Sequence, residues 1–175
     1  MLSSLFGNGL AHLAYIKETA EKGVAPTMPT TNNSFEYLLR TQFSFTVDDA
    51  KLDSILKAIA EQKININAYA QHKNSSQNLI RLVVGSSEAE NPSDLQGIRR
   101  ILMPLRLKTQ EKQVIQIIRL RAGKAGQIQD IFSSLWCKVE VKAIYIGEKT
   151  NVYVETSNLD QLISILSKEE IEPCT

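Results

Sequence analysis

Residues 114–165 read VIQIIRL-RAGKAG-QIQDIFSSLW-CK-VEVKAIYI-GEKT-NVYVE-TS-NLDQLISI, and the division of this stretch decides the fold. Val114–Leu120 is apolar and β-branched enough for a buried strand. Arg121-Ala122-Gly123-Lys124-Ala125-Gly126 is a glycine-bearing turn. Ile128, Ile131, Phe132 and Leu135 then recur at helical spacing. Val139–Ile146 and Asn151–Glu155 form a hairpin, and Asn158-Leu159-Asp160 opens a last helix. A short strand at Ile171-Glu172 completes the order β-α-β-β-α-β.

The preceding part of the chain has the same order. Leu39, Thr41, Phe43, Phe45 and Val47 alternate with polar neighbours, which predicts a half-buried strand. Asp48 or Asp49 caps a helix whose apolar face is Leu52, Ile55, Leu56 and Ile59. Ile64–Ala70 is a second strand, His72 to Asn78 a polar hairpin loop, and Leu79–Val84 a third strand apolar enough to be central. Asn91-Pro92 starts a helix with proline in its first turn. Its stripe is Leu95, Ile98, Ile101, Leu102 and Leu105, and a short polar edge strand is expected between Arg106 and Lys112. Leu52/Ile55/Leu56 and Ile128/Ile131/Phe132 share one internal spacing, the mark of a duplicated unit. The expected fold is α+β: two tandem βαββαβ ferredoxin-like modules, over 35–112 and 113–175.

Residues 1–34 differ. Leu10, Leu13, Ala14 and Lys17 predict a modest amphipathic helix between Gly9 and Lys22. Val24 to Ser34 holds Pro26 and Pro29 among Thr, Asn and Ser, and reads as a linker. This arm docks either on its own module or on a neighbouring chain.

Composition narrows the function. With 43 % hydrophobic and 22 % charged residues the 175-residue chain is globular in type. A net charge of +1 makes no global case for nucleic acid or membrane binding. Arg99, Arg100, Arg106, Lys108, Lys112, Arg119, Arg121 and Lys124 face one acid, Glu111, across one segment. They make either a cationic face or several solvated ones. Two cysteines are too few for a disulfide framework, and Cys137 is expected as a small buried thiol in a reducing compartment. No apolar run has the length of a membrane span, and no early positive charge marks a secretory signal, so the cytoplasm is the expected location. His12 and His72 have no cysteine or acidic cluster at metal spacing. No phosphate loop or nucleophile motif appears, and neither catalysis, cofactor nor metal is expected. Trp136 at a helix end is expected in core or interface.

The repeated order, with a turn of the form Gly-Lys-Ala-Gly-Gln-Ile between first strand and first helix, resembles the ACT domain family over about residues 36–175. The resemblance implies small non-catalytic regulatory modules, many of which bind an amino acid at that turn where two modules pair edge to edge. The family's turn often carries an acid, then Pro-Gly, a residue and an aliphatic. Gly126 and Ile128 match the glycine and the aliphatic, while Ala125 replaces proline and no acid precedes it. Asp48-Asp49-Ala50-Lys51-Leu52 in the first module keeps acids and the aliphatic but has no glycine. Carried across, the ligand-binding candidates are Asp48, Asp49, Gly123, Lys124, Ala125, Gly126 and Gln127. Glycine there admits positive φ and close approach to the backbone, and a helix N-terminus binds carboxylates. The plainer reading is that Gly123 and Gly126 only make a tight turn. The expected partners are a second copy through sheet edges, an amino acid, or a larger assembly in which residues 1–34 dock on neighbours. That last possibility is the alternative function, a structural subunit.

Overall fold

The structure, a computed structural model, describes residues 35–168 and 170–175. The arm and linker expected over 1–34 lie outside the described residues. These form six strands and four helices: β1 (Tyr37–Val47), α1 (Asp49–Glu61), β2 (Ile66–Asn74), β3 (Gln77–Val84), α2 (Pro92–Leu102), β4 (Gln110–Ile117), α3 (Gln127–Leu135), β5 (Val141–Ile146), β6 (Val152–Thr156) and α4 (Leu159–Leu166). The caps fall where side-chain chemistry puts them. Asp48 accepts from the Lys51 amide, Asn91 from that of Ser93, and Asn158 from that of Gln161.

One antiparallel sheet runs β2-β3-β1-β4-β6-β5. Each half is a ferredoxin-like β-α-β-β-α unit, and the halves join through their first strands, β1 with β4. Leu39 faces Ile115 there, and these are equivalent residues under the offset that places Leu52 on Ile128. A pseudo-twofold axis therefore passes through that pair. This explains a difference from the expected order. The first module's closing strand is the start of β4, Gln110–Gln113 beside β1, and it runs without a break into the second module's first strand, while the second module's expected closing strand at Ile171-Glu172 is irregular. A ferredoxin-like module places its last strand beside its first. Here each first strand already has the other module's first strand on that edge. The edge-to-edge pairing expected of such modules thus occurs inside the chain. The polar hairpin loop is also tighter than expected, because β2 and β3 continue to a turn at Ser75-Ser76.

Alternation along the strands sorts side chains onto two faces. On the helix side, Phe43, Phe45, Ile80 and Leu82 pack with Leu52, Ile55, Ile59 and Ile98. Ile115, Ile117, Val152 and Val154 pack with Ile131, Leu135, Leu162 and Ile163. The other side is concave. The outer strands meet at an Ala68–Gly147 bridge, so the sheet curls on itself. Inside lie Ala68, Val83, Val114, Tyr145 and Tyr153. A buried polar group runs among them. Arg40 donates to the carbonyls of Ser86 and Val84 and to Gln116 Oε1. The Tyr145 hydroxyl donates to Gln42 Oε1 at 2.6 Å.

One further expectation is corrected. Cys137 is exposed, not buried, and is bonded to Cys174, their Cα atoms 5.8 Å apart. The C-terminal tail folds back along the end of α3 and brings the sulfurs together: the Cys174 amide donates to the Ser133 carbonyl, and Lys138 Nζ to that of Glu172. Trp136, expected in core or interface, caps α3 half exposed and outside the core, which leaves the interface reading.

Candidate functional site

The two first helices have the same apolar spacing and different surroundings. β1 continues to Val47, and β3 accompanies it to Asn78 opposite. β4 stops at Ile117, the equivalent of Thr41, because β6 begins opposite it at Val152. The second module's sheet is therefore shorter at this end. Residues 118–126 leave it as a loop, and among the described residues nothing covers the first turns of α3. Ile128, Phe132 and Trp136 are 43, 48 and 49 % exposed, and Ile146 across from them 58 %. Their counterparts Leu52 and Leu56 pack into the first module's core beside Ile66 and Tyr69 of β2. Ile128 and Phe132, expected in the core, are thus corrected to surface residues.

The gap left by the missing strand length is a cleft of about 620 Å³. Its walls are Leu120, Ile128, Phe132, Ile146 and Val152, and its rim is Arg121–Lys124, Gly126, Gln127 and Thr150, while Ala125 does not line it. Gly123 and Gly126 have φ of +75° and +90°. A methyl group added at either would meet nothing within 4 Å, so φ alone calls for glycine and the backbone is open to approach. Gln127 fastens the turn. Its Oε1 accepts from the Arg121 amide at 2.8 Å, and its Nε2 donates to the Arg121 and Lys124 carbonyls. Its side chain therefore positions the loop and is not free for a ligand.

Gly126 is the N-cap of α3 and offers no side chain to the helix start. Asp130 is the first residue whose amide finds an acceptor, the Gly126 carbonyl. Among the described residues the amides of Gln127, Ile128 and Gln129 have no partner, as expected of an uncapped first turn. Together with the helix dipole they favour an anionic group at the cleft. Exposed Lys124 and Arg121 add positive charge at the same rim.

The first module's turn is closed to this use. The Asp48 carboxylate fills its own helix start, accepting from the Lys51 amide at 2.8 Å. Asp49 accepts from Lys73 Nζ at 2.6 Å and Asn78 Nδ2 at 2.7 Å. Hydrogen bonds, Lys51 amide for Asp48 and Lys73 for Asp49, pull both carboxyls below the usual range. Antiparallel pairing of β1 with β4 also puts Asp48 and Asp49 at the opposite end of the strand pair from Gly123–Gln127. The seven candidates therefore form two separate sites.

Sequence reading missed Leu120, Ile146, Thr150 and Val152 as cleft residues. The apolar arc of α3 held the usable signal: Ile128, Phe132 and Trp136 form one stripe and Ile131 with Leu135 another, more than one buried face requires. The basic segment does not make a single face. Arg99 pairs with Glu111, Arg119 with Glu36, and Lys112 with Glu155. No group of three His, Cys, Asp or Glu that could hold a metal ion occurs among the described residues. No described helix is long and apolar enough to cross a membrane.

No protein-family model and no curated protein matches the chain. Solved structures share its fold. A protein from Bacteroides thetaiotaomicron aligns with a TM-score of 0.58 at 19 % identity, over 74 % of this chain and 88 % of that one. Aspartokinase III from E. coli, in complex with lysine and aspartate, aligns at 0.50 and 16 % identity, over 82 % of this chain and 35 % of the enzyme. The regulatory subunit of aspartate kinase from Thermus thermophilus gives 0.45 and 15 % identity, over 69 % and 85 %. The chain spans about a third of aspartokinase III. The likeness is one of fold: this chain is built on the α+β, ferredoxin-like ACT domain architecture, in tandem.

Proposed function

We propose that this chain is a non-catalytic regulatory protein that senses an amino acid through the cleft of its second module. The ligand carboxylate sits on the amides of Gln127, Ile128 and Gln129, with Lys124 beside it. The ligand side chain lies against Leu120, Ile128 and Phe132. Gly123, Ala125 and Gly126 serve as backbone, leaving room for the approach. The observation that carries this reading is the coincidence of an open apolar cleft with an uncapped helix start. The lysine and aspartate of the aspartokinase III complex support the ligand class.

The test is thermal denaturation of the full chain with each of the twenty amino acids. A ligand at a hundred times its Kd stabilises by about 2.7 kcal/mol. Phe132→Ala removes a half-exposed wall, keeps the fold and weakens that stabilisation. No shift with any amino acid would remove the proposal. A second reading, a structural subunit whose residues 1–34 dock on a neighbouring chain, is favoured by the apolar stripe on α3. It requires a particle mass above 19.6 kDa in solution.

A further inference from the structure

We infer that the stripe Ile128, Phe132 and Trp136 is the docking site of this chain's own N-terminal segment, residues 1–22. This goes beyond the amino-acid reading and does not rest on it, but the two share Ile128 and Phe132, so the docked segment and a ligand side chain compete for that wall. The stripe corresponds to a helix face that the first module covers with its own longer hairpin, so the second module lacks one covering element.

The chain enters the fold beside that gap. The Ile118 amide donates to the Glu36 carbonyl at 2.9 Å, and Arg119 donates to the Glu36 carboxylate at 3.0 Å. Phe35 and Leu120 pack against the same core cluster, and Leu120 is a wall of the cleft. Because β1 and β4 are antiparallel, the chain traced backward from Tyr37 heads the way β4 runs forward, toward the turn and α3.

The 34 residues before Phe35 supply both reach and chemistry. Residues 24–34, extended, span on the order of 35 Å. α3, with nine residues, is about 14 Å long. The segment ahead of that linker places Leu2, Leu5, Phe6, Leu10 and Leu13 at helical spacing, an apolar strip to match the exposed one. A second copy fits less well. Four half-exposed side chains offer on the order of 400 Å², against about 800 Å² per partner in a stable dimer. A tethered segment needs far less, since the linker holds it at high effective concentration.

Trp136 is the one tryptophan of the chain and lies in the stripe, so it reports occupancy directly. The experiment compares acrylamide quenching and emission of the full-length protein with the Leu10→Ser/Leu13→Ser double variant, which lies outside the described fold. Docking predicts a shielded tryptophan in the first, and a red-shifted, freely quenched one in the second, at unchanged particle mass. Equal quenching in the two overturns the inference. So does shielding that is lost on dilution together with a fall in mass, which would make the occupant a second copy. As a reciprocal test, Phe132→Ser should open trypsin cleavage at Lys17 and Lys22 with the circular dichroism unchanged. Cleavage at the wild-type rate would count against docking.

Discussion

Glu155 shows how single residues hold the concave face together. It is buried, and burial alone would raise its carboxyl. Lys112, Arg81 at 2.6 Å and Gln42 at 3.0 Å outweigh that by hydrogen bonding and hold it at about 2. An unfolded glutamate titrates near 4.3. A depressed folded value means the stabilisation is present above the unfolded pKa and is lost as pH falls through the folded one. Denaturation of the full chain should show stability declining from about pH 5 toward pH 2. Glu155→Gln should flatten that slope and lower stability at pH 7. An unchanged slope in the variant would mean that other carboxylates set the acid limit. Arg40 works in the same interior. It is buried and makes three hydrogen bonds, one of them to Gln116 of the other module, so Arg40→Ala, which strands those acceptors, should cost about 3 kcal/mol in urea denaturation.

At the scale of elements, α1 and α3 descend from one pattern and end with different roles. The capping aspartate and the long hairpin make α1 a closed structural helix. The glycine cap and short hairpin leave α3 open. The helices, most strands and the Asn91 cap were legible in the sequence, and the Asp48 cap as one of two candidates, since periodicity and cap chemistry are local. The turn's glycines were legible too. The cleft was not, because its existence depends on where β6 starts opposite β4, a pairing no local pattern specifies. The closing strand at Ile171-Glu172 was over-read for a related reason: its place beside β4 is taken by β1. The Cys137–Cys174 bond also escaped, since its partners stand 37 positions apart and meet only through the path of the tail. That bond ties the tail to α3. By loop-closure entropy its reduction should cost up to about 4 kcal/mol. Urea denaturation with and without reductant measures this, and equal stability would show that the tail's other contacts suffice.

For the whole molecule, the decisive feature is a sheet that pairs two modules at its centre and closes on itself at its margins. Gly147 makes the closure possible. A Cβ there would stand 2.6 Å from the Asn67 carbonyl oxygen and 2.8 Å from the Ala68 methyl. Gly147→Val should force β2 and β5 apart, expose the buried tyrosine pair Tyr145 and Tyr153, and destabilise the fold by a few kcal/mol. Wild-type stability in that variant would mean the closing contact is dispensable. Among the described residues the Ala68–Gly147 bridge is the single pairing between the outer strands, so the rest of β2 and β5 remains sheet edge, where strand addition is possible. On the helical side, the first turns of α3 are exposed among the described residues. The central claim is that this uncovered helix start receives an amino acid. Amide NMR of the full chain during amino-acid titration tests it most directly: the account predicts saturable shifts of the Gln127, Ile128 and Gln129 N–H signals for at least one amino acid, and shifts confined to Asp48–Lys51, or none at all, would contradict it.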